Sequence, residues 1–153
     1  MYKILFVCHG NICRSPMAEY IFNEMLKKQG INNIHADSAA TSTEEIGNGV
    51  HPGTARILRR LGIDYSAHRA RQMTRSDIDK YDLIIGMDSA NIRNIRRIAG
   101  TDKCSKIFRL LEFTDRSGDI SDPWYTGDFE STYNDVSEGC EGLIKWLRSS
   151  GVI

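Results

Sequence analysis

Short apolar segments alternate along this chain with longer segments in which apolar residues recur at helical spacing. Continuous apolar runs predict buried strands over residues 3–8, 34–39, 82–87 and 106–111. Apolar residues three and four positions apart predict helices over residues 15–29, 52–61, 89–99 and 129–147, and a short helix is expected after Thr74. Residues 41–53 and 116–129 are polar and rich in turn formers, which predicts loops.

Strands that alternate with helices favour a parallel sheet joined by right-handed crossovers. We therefore predict an α/β fold of three layers, in which a doubly wound, flavodoxin-like sheet of four parallel strands carries helices on both faces. The length of 153 residues fits one domain over residues 1–153. No internal repeat or linker in the sequence divides it.

The amino-acid composition favours a globular protein and argues against a nucleic-acid-binding or membrane protein. Hydrophobic residues make up 41% and charged residues 26% of the chain, which is typical of a soluble globular protein. Lysine and arginine together number 20, as do aspartate and glutamate, so the net charge is zero and no nucleic-acid partner is expected. No apolar run reaches the length of a secretion signal or a membrane span. We therefore expect a cytoplasmic monomer with no membrane partner.

The chain has four cysteines, Cys8, Cys13, Cys104 and Cys140. None of them forms a Cys-x-x-Cys pair, and the four histidines show no ligand spacing beside them. We therefore expect no metal and no other cofactor. In a reducing compartment the thiols are free, so a reactive role has to be argued for each cysteine separately.

The strand predicted at residues 3–8 ends on Cys8, and a turn then leads to a helix that opens with Ser15 and Pro16. In open parallel sheets, ligands bind outside the carboxyl ends of the strands. Such a turn directs successive N–H groups into a concavity and the helix dipole adds positive charge, which favours an anion. The residues that we expect to surround a phosphate are His9, Gly10, Asn11, Ile12, Cys13, Arg14 and Ser15.

Within this turn, individual residues have predicted tasks. Gly10 and Asn11 tolerate positive φ angles, Ser15 can cap the helix, and the planar fork of Arg14 can bind two oxygens of a tetrahedral dianion. Amide groups at a helix N-terminus stabilise a thiolate, so Cys8 is a candidate nucleophile for in-line attack on phosphorus, with Ser15 placed to donate to its sulfur. The Cys-x5-Arg spacing alone carries little information, and the alternative is a structural cysteine at a strand end.

A nucleophile that displaces a phenolate or an alkoxide is helped by a general acid. Asp122 is the best candidate, because it precedes a stiff Pro123 and two aromatic residues, Trp124 and Tyr125, that offer flat walls for a substrate ring. A simple turn in which Asp-Pro only ends a segment remains the alternative.

The motifs together identify a family. The chain resembles the low-molecular-weight protein tyrosine phosphatases through VCHGNICRSPMAE at 7–19, DSAAT at 37–41, HRARQ at 68–72, MDSAN at 87–91 and DPWY at 122–125. The resemblance implies a four-stranded parallel sheet and the hydrolysis of phosphotyrosine in proteins and of small aryl phosphates. It implies protein substrates that carry phosphotyrosine, a tyrosine kinase among the candidates. It also implies that Cys8 becomes phosphocysteine, Arg14 clamps the transition state, and Asp122 acts first as acid and then as base.

The same resemblance assigns supporting residues. It implies that Ser15 stabilises the departing thiolate, that Asn11, Ser38 and His68 brace the loop, and that Cys13 forms a reversible disulfide with Cys8 under oxidation. The implied substrate walls are Ile12, Glu44, Glu45, Trp124 and Tyr125. Family members often have an aromatic residue where this chain has Glu44 and Glu45, so acidic peptides should be tolerated poorly. Ile46 is an alternative apolar wall.

Three other functions compete with phosphotyrosine hydrolysis. Thioredoxin-coupled arsenate reductases resemble this chain but need a cysteine pair near the third strand, where residues 84–95 contain no cysteine. Phosphoarginine phosphatases resemble it too but tend to have threonine where this chain has Ile12. A phosphate-binding or phosphocysteine carrier module would need no acid, so Asp122 separates it from a hydrolase.

Overall fold

A computed structural model describes residues 1–100 and 105–153 of the protein. Its elements are β1 (Tyr2–Cys8), α1 (Arg14–Lys28), β2 (Ile34–Ala40), α2 (Pro52–Arg60), α3 (Asp77–Lys80), β3 (Leu83–Gly86), α4 (Ser89–Ala99), β4 (Ile107–Arg109), a 3₁₀ helix (Leu110–Phe113), α5 (Pro123–Thr126) and α6 (Phe129–Ser149). The four strands form one parallel sheet in the order β2-β1-β3-β4. The predicted α/β fold with a four-stranded parallel sheet is confirmed.

Strand β1 occupies the middle of the sheet. It pairs with β2 from Tyr2 opposite Ile34 to Cys8 opposite Ala40, and on its other side with β3. Its residues Ile4 to Val7 are completely inaccessible to solvent, as expected for a strand covered on both faces. Cys8 therefore lies at the centre of the edge where the strands' carboxyl ends meet.

Two apolar layers cover the sheet, one on each face. On one face Ile4, Phe6 and Ile85 pack in a cluster that takes in residues of α1, α2 and α6. On the other face Leu5, Val7 and Ile84 pack with residues that include Ile95 of α4. The alternation along β1 sends neighbouring side chains to opposite layers, which produces the predicted three-layer arrangement.

Most predicted element boundaries agree with the structure to within two residues, and three local predictions need correction. Helix α1 begins at Arg14 with Cys13 in the capping position, so the expected cap by Ser15 is wrong; the Ser15 hydroxyl contacts other residues. Strand β4 ends at Arg109 rather than at 111, and the chain continues as a 3₁₀ helix. The predicted loop over 116–129 contains α5, because the Asp122 side chain accepts a hydrogen bond from the Trp124 N–H and proline suits the first helical position.

Of the two cysteines in the second half of the chain, the structure describes Cys140. Cys140 is buried in the core beneath α1, and burial raises the pKa of its thiol. Cys104 lies outside the described residues. In the described ranges 1–100 and 105–153, no helix combines the length and apolar character needed to cross a membrane.

Candidate active site

A pocket opens beyond the carboxyl end of β1 and brings together three separate segments of the chain. It is lined by Cys8, His9, Gly10, Ile12, Cys13, Arg14, Glu44, Glu45, Asp122, Trp124 and Tyr125. The sequence predicts a site role for all of these residues, although they lie in three regions that are at least 30 positions apart in the chain. Ile46 is 55% exposed and does not line the pocket.

The loop between β1 and α1 carries free backbone donors. Within the part of the chain that the structure describes, none of the backbone N–H groups from His9 to Cys13 donates a hydrogen bond to another protein atom. Asn11 alone among the described non-glycine residues has a positive φ, 60°. Gly10 does not, so its predicted positive φ is wrong. A Cβ on Gly10 would lie 3.3 Å from Glu45 Cγ, so glycine there permits close packing.

The Cys8 sulfur lies at the bottom of this loop and is almost completely buried. Its Sγ is 3.0 Å from the Ser15 hydroxyl oxygen and accepts a longer contact, 3.4 Å, from the Ser15 backbone N–H. Both groups are donors available to a thiolate at the start of α1.

Asn11 connects the loop to its surroundings. Its Nδ2 donates to Ser15 Oγ at 2.8 Å and to Ser38 Oγ at 2.9 Å, while its Oδ1 accepts from the Arg71 N–H. His68 Nε2 lies 2.8 Å from the Asn11 carbonyl oxygen and therefore donates to it. Burial lowers the pKa of His68, although the bond to Asn11 partly opposes this. These contacts hold Asn11 in its left-handed conformation.

Beyond Ser38, the same network ends on a carboxyl group. The Ser38 hydroxyl donates to Glu19 Oε1 at 2.5 Å. Burial raises the pKa of Glu19 to about 7, and the hydrogen bond from Ser38 works in the opposite direction. Because Asn11 donates to both serines, Ser38 donates its own proton to Glu19. The Ser15 hydroxyl proton has two acceptors, the Cys8 sulfur at 3.0 Å and the Ala39 carbonyl at 3.4 Å.

Arg14 is almost completely buried, with only 2% of its surface exposed to solvent. Its Nη1 donates to Asp88 Oδ2 at 2.6 Å and to the Ile120 carbonyl at 2.8 Å, and its Nη2 donates to Asp122 Oδ2 at 3.3 Å. Burial by itself lowers the pKa of Arg14, but the negative charge at Cys8 and at the two aspartates outweighs it and raises the pKa. The buried Nε has no partner among the described residues. Three of the five guanidinium N–H groups donate to protein oxygens, so the Nε–H and one N–H of Nη2 remain for a ligand.

Asp122 approaches Arg14 from the opposite wall of the pocket. Its Oδ1 caps α5 by accepting from the Trp124 N–H at 3.0 Å, and its Oδ2 faces the guanidinium. Trp124 and Tyr125 are 56% and 82% exposed at the mouth. The exposed aromatic faces can contact a flat substrate ring.

His51 contacts both Ile12, in the loop after β1, and Trp124, in the segment that follows Asp122. Its backbone N–H donates to the Ile12 carbonyl at 2.9 Å. Its ring meets Trp124 edge to face with centroids 5.6 Å apart and stacks on Phe129 at 4.9 Å. Its Nδ1 also accepts from the Gly53 N–H and so caps α2. His51 thereby contacts both the loop between β1 and α1 (the anion loop, residues 9–13) and the segment that carries Asp122 and α5 (the acid loop, residues 114–126).

Two carboxylates stand on the remaining side of the mouth. Glu44 Oε2 lies 2.8 Å from His9 Nε2, and Glu45 Oε2 accepts from Asn48 Nδ2 at 2.6 Å. Both line the pocket where the sequence suggested a changed wall.

Cys13 lies in the pocket as a free thiol, like Cys8. Burial raises the pKa of Cys13 to about 12, with further contributions from the negative charges of Cys8, Asp122 and Glu45. The thiol is therefore protonated at neutral pH.

Comparison with known proteins agrees with the motifs. The family model for low molecular weight phosphotyrosine protein phosphatase matches residues 3–152. The chain belongs to this family. The low molecular weight protein-tyrosine-phosphatase YfkJ of Bacillus subtilis is 47% identical over 151 residues, which is 97% of each chain. The crystal structure of YfkJ has a TM-score of 0.94 at 45% identity, covering 98% of this chain and 96% of that chain.

Two further solved structures are similar to this chain in fold, and their names refer to different substrates. SP-PTP, a low molecular weight protein tyrosine phosphatase from Streptococcus pyogenes, has a TM-score of 0.83 at 41% identity, covering 97% of this chain and 93% of that chain. DARP, the drosophila arginine phosphatase, has a TM-score of 0.86 at 28% identity, covering 94% of this chain and 96% of that chain. The phosphatase fold therefore occurs in proteins with different named substrates.

The sequence patterns do not predict three residues of the phosphatase site. Asp88 holds Arg14, Glu19 ends the network behind the loop, and His51 joins two loops. For Asp88 a signal exists, since a carboxylate directly after a buried parallel strand lies at the ligand-binding edge of the sheet. Glu19 follows Ser15 by one helical turn, which places both on one face of α1. No comparable signal marks His51.

Proposed function

We propose that this protein hydrolyses phosphotyrosine in proteins, and small aryl phosphates, through a phosphocysteine formed on Cys8. The observation that carries the proposal is the donor set around the Cys8 sulfur. Among the described residues, five backbone N–H groups of the loop after Cys8 and the Nε of the buried Arg14 have no protein partner, and this loop and Arg14 line a pocket that has an acid on its opposite wall. That arrangement suits a tetrahedral dianion above a thiolate.

Substrate binding precedes the chemistry. The phosphate oxygens accept hydrogen bonds from the N–H groups of the loop from His9 to Arg14 and from the Arg14 guanidinium, with Ser15 supporting the sulfur below. The phenyl ring lies between Ile12 and the aromatic residues Trp124 and Tyr125. The Asn11, Ser38 and His68 contacts keep the loop in the shape that this binding requires.

In the first step the Cys8 thiolate attacks phosphorus in line with the leaving oxygen. The S–P bond forms as the P–O bond breaks, and protonated Asp122 gives its proton to the departing phenolate. In the second step a water molecule attacks phosphorus, the Asp122 carboxylate accepts a proton from it, and the S–P bond breaks. The Ser15 hydroxyl then donates to the released thiolate, while Arg14 stabilises the charge in both transition states.

The proposal also covers where the enzyme acts, which proteins it acts on and how Cys8 responds to oxidation. The enzyme acts as a cytoplasmic monomer on proteins that carry phosphotyrosine, a tyrosine kinase among them, and Cys13 is the redox partner of Cys8. A peroxide would oxidise the Cys8 thiolate to a sulfenic acid, which condenses with the Cys13 thiol to a disulfide with loss of water and so escapes irreversible oxidation. Burial raises the pKa of Cys13 to about 12, so little of its thiolate is present at neutral pH and the closure should become faster as the pH rises.

Phosphoarginine is the second candidate substrate, favoured by the likeness to the drosophila arginine phosphatase. Ile12, which is mostly buried in the pocket wall beside Ala70 and Phe129, favours a flat aryl ring over a guanidinium. Release of phosphate from matched phosphotyrosine and phosphoarginine peptides distinguishes the two. Faster release from phosphoarginine would reverse the assignment.

The decisive experiment compares wild type with Cys8→Ser in a buffer that contains a metal chelator. Wild type should release phosphate from phosphotyrosine peptides, and Cys8→Ser should not. Cys8→Ser should still bind inorganic phosphate by calorimetry, because the loop N–H groups and Arg14 remain. Turnover by Cys8→Ser at the wild-type rate would remove Cys8 from the nucleophile role.

A further inference from the structure

The mouth of the pocket has an uneven charge distribution. Its lining residues include three carboxylates, those of Glu44, Glu45 and Asp122, and the one permanent cation among them is Arg14. Arg14 is buried and already paired with Asp88 and Asp122, so its charge does not reach the rim. The whole chain has a net charge of zero, which means that this excess of acid is local.

The two rim glutamates, which we call the acidic lip (Glu44 and Glu45), are held in place. His9 Nε2 lies 2.8 Å from Glu44 Oε2, and Asn48 donates to Glu45 at 2.6 Å. Glu45 also packs its side-chain carbons against Gly10 of the anion loop. Both carboxylates therefore lie beside the entrance in defined positions rather than sweeping through solvent.

The negative charge of the acidic lip opposes the approach of a dianion to the pocket. The Nε of the buried Arg14 has no partner in the ranges 1–100 and 105–153, which points to an anionic ligand inside the pocket, yet the lip repels anions at the entrance. A segment that carries cations next to its phosphorylated residue relieves this repulsion, and a segment that carries acids increases it.

From this geometry we infer that the acidic lip selects phosphotyrosine segments whose neighbouring residues are lysine or arginine, and rejects segments with acidic neighbours. The inference rests on the proposed phosphatase function and adds the class of protein segment that the site takes. A neighbouring ammonium or guanidinium group contacts Glu44 or Glu45 while the phosphate lies on the loop below.

The effect has a limited and measurable size. Exposed ion pairs change rates by about two- to fivefold each, so a lysine-flanked peptide should exceed a glutamate-flanked one in kcat/KM by roughly tenfold at low salt. Because the groups are exposed, about 0.5 M salt should bring the ratio close to one.

The experiment measures kcat/KM for three phosphotyrosine peptides that differ only in the residues flanking the phosphotyrosine: lysine, alanine or glutamate on both sides. Wild type, Glu44→Gln, Glu45→Gln, the double variant and Glu44→Lys are compared. Glu141→Gln is the matched control, since Glu141 is exposed on α6 and does not line the pocket. The readout is the ratio of lysine to glutamate peptide within each enzyme, which cancels changes in basal rate.

We expect the wild-type ratio to favour lysine, to fall in each single variant, to approach one in the double variant and to be unchanged in Glu141→Gln. Glu44→Lys should lower the ratio further than Glu44→Gln. Equal rates on all three peptides by wild type, or an unchanged ratio in the double variant, would overturn the inference while leaving the phosphatase function intact. Failure of wild type to cleave even the alanine peptide would instead contradict the proposed function itself.

Discussion

Arg14 and Asp88 form a charge-assisted hydrogen bond of 2.6 Å between residues 74 positions apart in the chain. Asp88 follows the central strand β3 and caps α4, accepting from the Asn91 N–H. It therefore ties the guanidinium to a rigid element and leaves Nε without a partner among the described residues. Asp88 is a positioning residue in this arrangement, because its carboxylate contacts Arg14 rather than the reacting atoms.

Replacing Asp88 by asparagine tests that role. Asparagine keeps the cap on α4 but loses the negative charge, and hydrogen bonds to charged groups are worth about 1.5–3 kcal/mol, so kcat/KM on an aryl phosphate should fall roughly 10- to 100-fold. Asp88→Ala should in addition lower the free energy of unfolding by about 1 kcal/mol through loss of the cap. An Asp88→Asn enzyme within twofold of wild type would show that Arg14 needs no such support.

Asp122 invites a test that separates chemistry from structure. Asp122→Asn retains the acceptor that caps α5 but cannot donate a proton as a carboxylic acid does. Turnover of phenyl phosphate should fall about 10²- to 10⁴-fold, whereas an aryl phosphate with an activated leaving group should lose much less. The measurement is kcat for a series of aryl phosphates plotted against leaving-group pKa, which should become steeper. Equal losses across the series would exclude the acid role.

The sequence predicts those parts of the molecule that depend on local pattern. The alternation of apolar runs predicts the sheet, and the strand-end position of Cys8 predicts where the pocket lies. The family motifs also predict the roles of Arg14 and Asp122, although these two residues lie 108 positions apart in the chain. These inferences succeed because each depends on backbone geometry that short segments determine.

What the sequence does not predict depends on contacts between distant segments. Ser15 looks like a helix cap, yet its hydroxyl is used by Cys8 and Asn11, and only the folded loop brings these groups together. Gly10 looks like a residue chosen for positive φ, whereas the packing of Glu45 explains it better. Such choices are settled by tertiary packing, which overrides local preference.

His51 offers a test of how the two loops are coupled. His51→Asn keeps a side-chain cap for α2 and the backbone bond to Ile12, but it removes the ring that contacts Trp124 and Phe129. Loss of these aromatic contacts should lower the free energy of unfolding by about 1 kcal/mol. A less firmly held acid loop should reduce kcat on phosphotyrosine about fivefold, which corresponds to about 1 kcal/mol.

The control for His51 is the affinity for inorganic phosphate, which should be unchanged because the N–H groups of the anion loop do not contact the ring. Calorimetry with phosphate and kinetics with phosphotyrosine together separate the two effects. A loss of phosphate affinity equal to the loss in kcat would mean that the ring supports the anion loop instead of the acid loop.

Glu19 makes the stability of the protein depend on pH in a particular direction. Burial raises its pKa from 4.5 to about 7 in the folded state, so between these values the folded protein binds more protons than the unfolded chain. The contribution of protonated Glu19 is fully present below about pH 4.5 and is lost as the pH rises through about 7. Relative to Glu19→Gln, which stays neutral, wild type should therefore lose about 3 kcal/mol of unfolding free energy between pH 4.5 and 7.5.

Urea unfolding of both proteins across that range measures the difference. Ser38→Ala supplies a second variant, because the Ser38 hydroxyl donates to Glu19 and lowers its pKa. Removing the donor should shift the loss of stability to higher pH. Parallel curves for wild type and Glu19→Gln would show that the carboxyl at the end of the Asn11 network does not titrate in this range, and the network would then carry a fixed charge behind the anion loop.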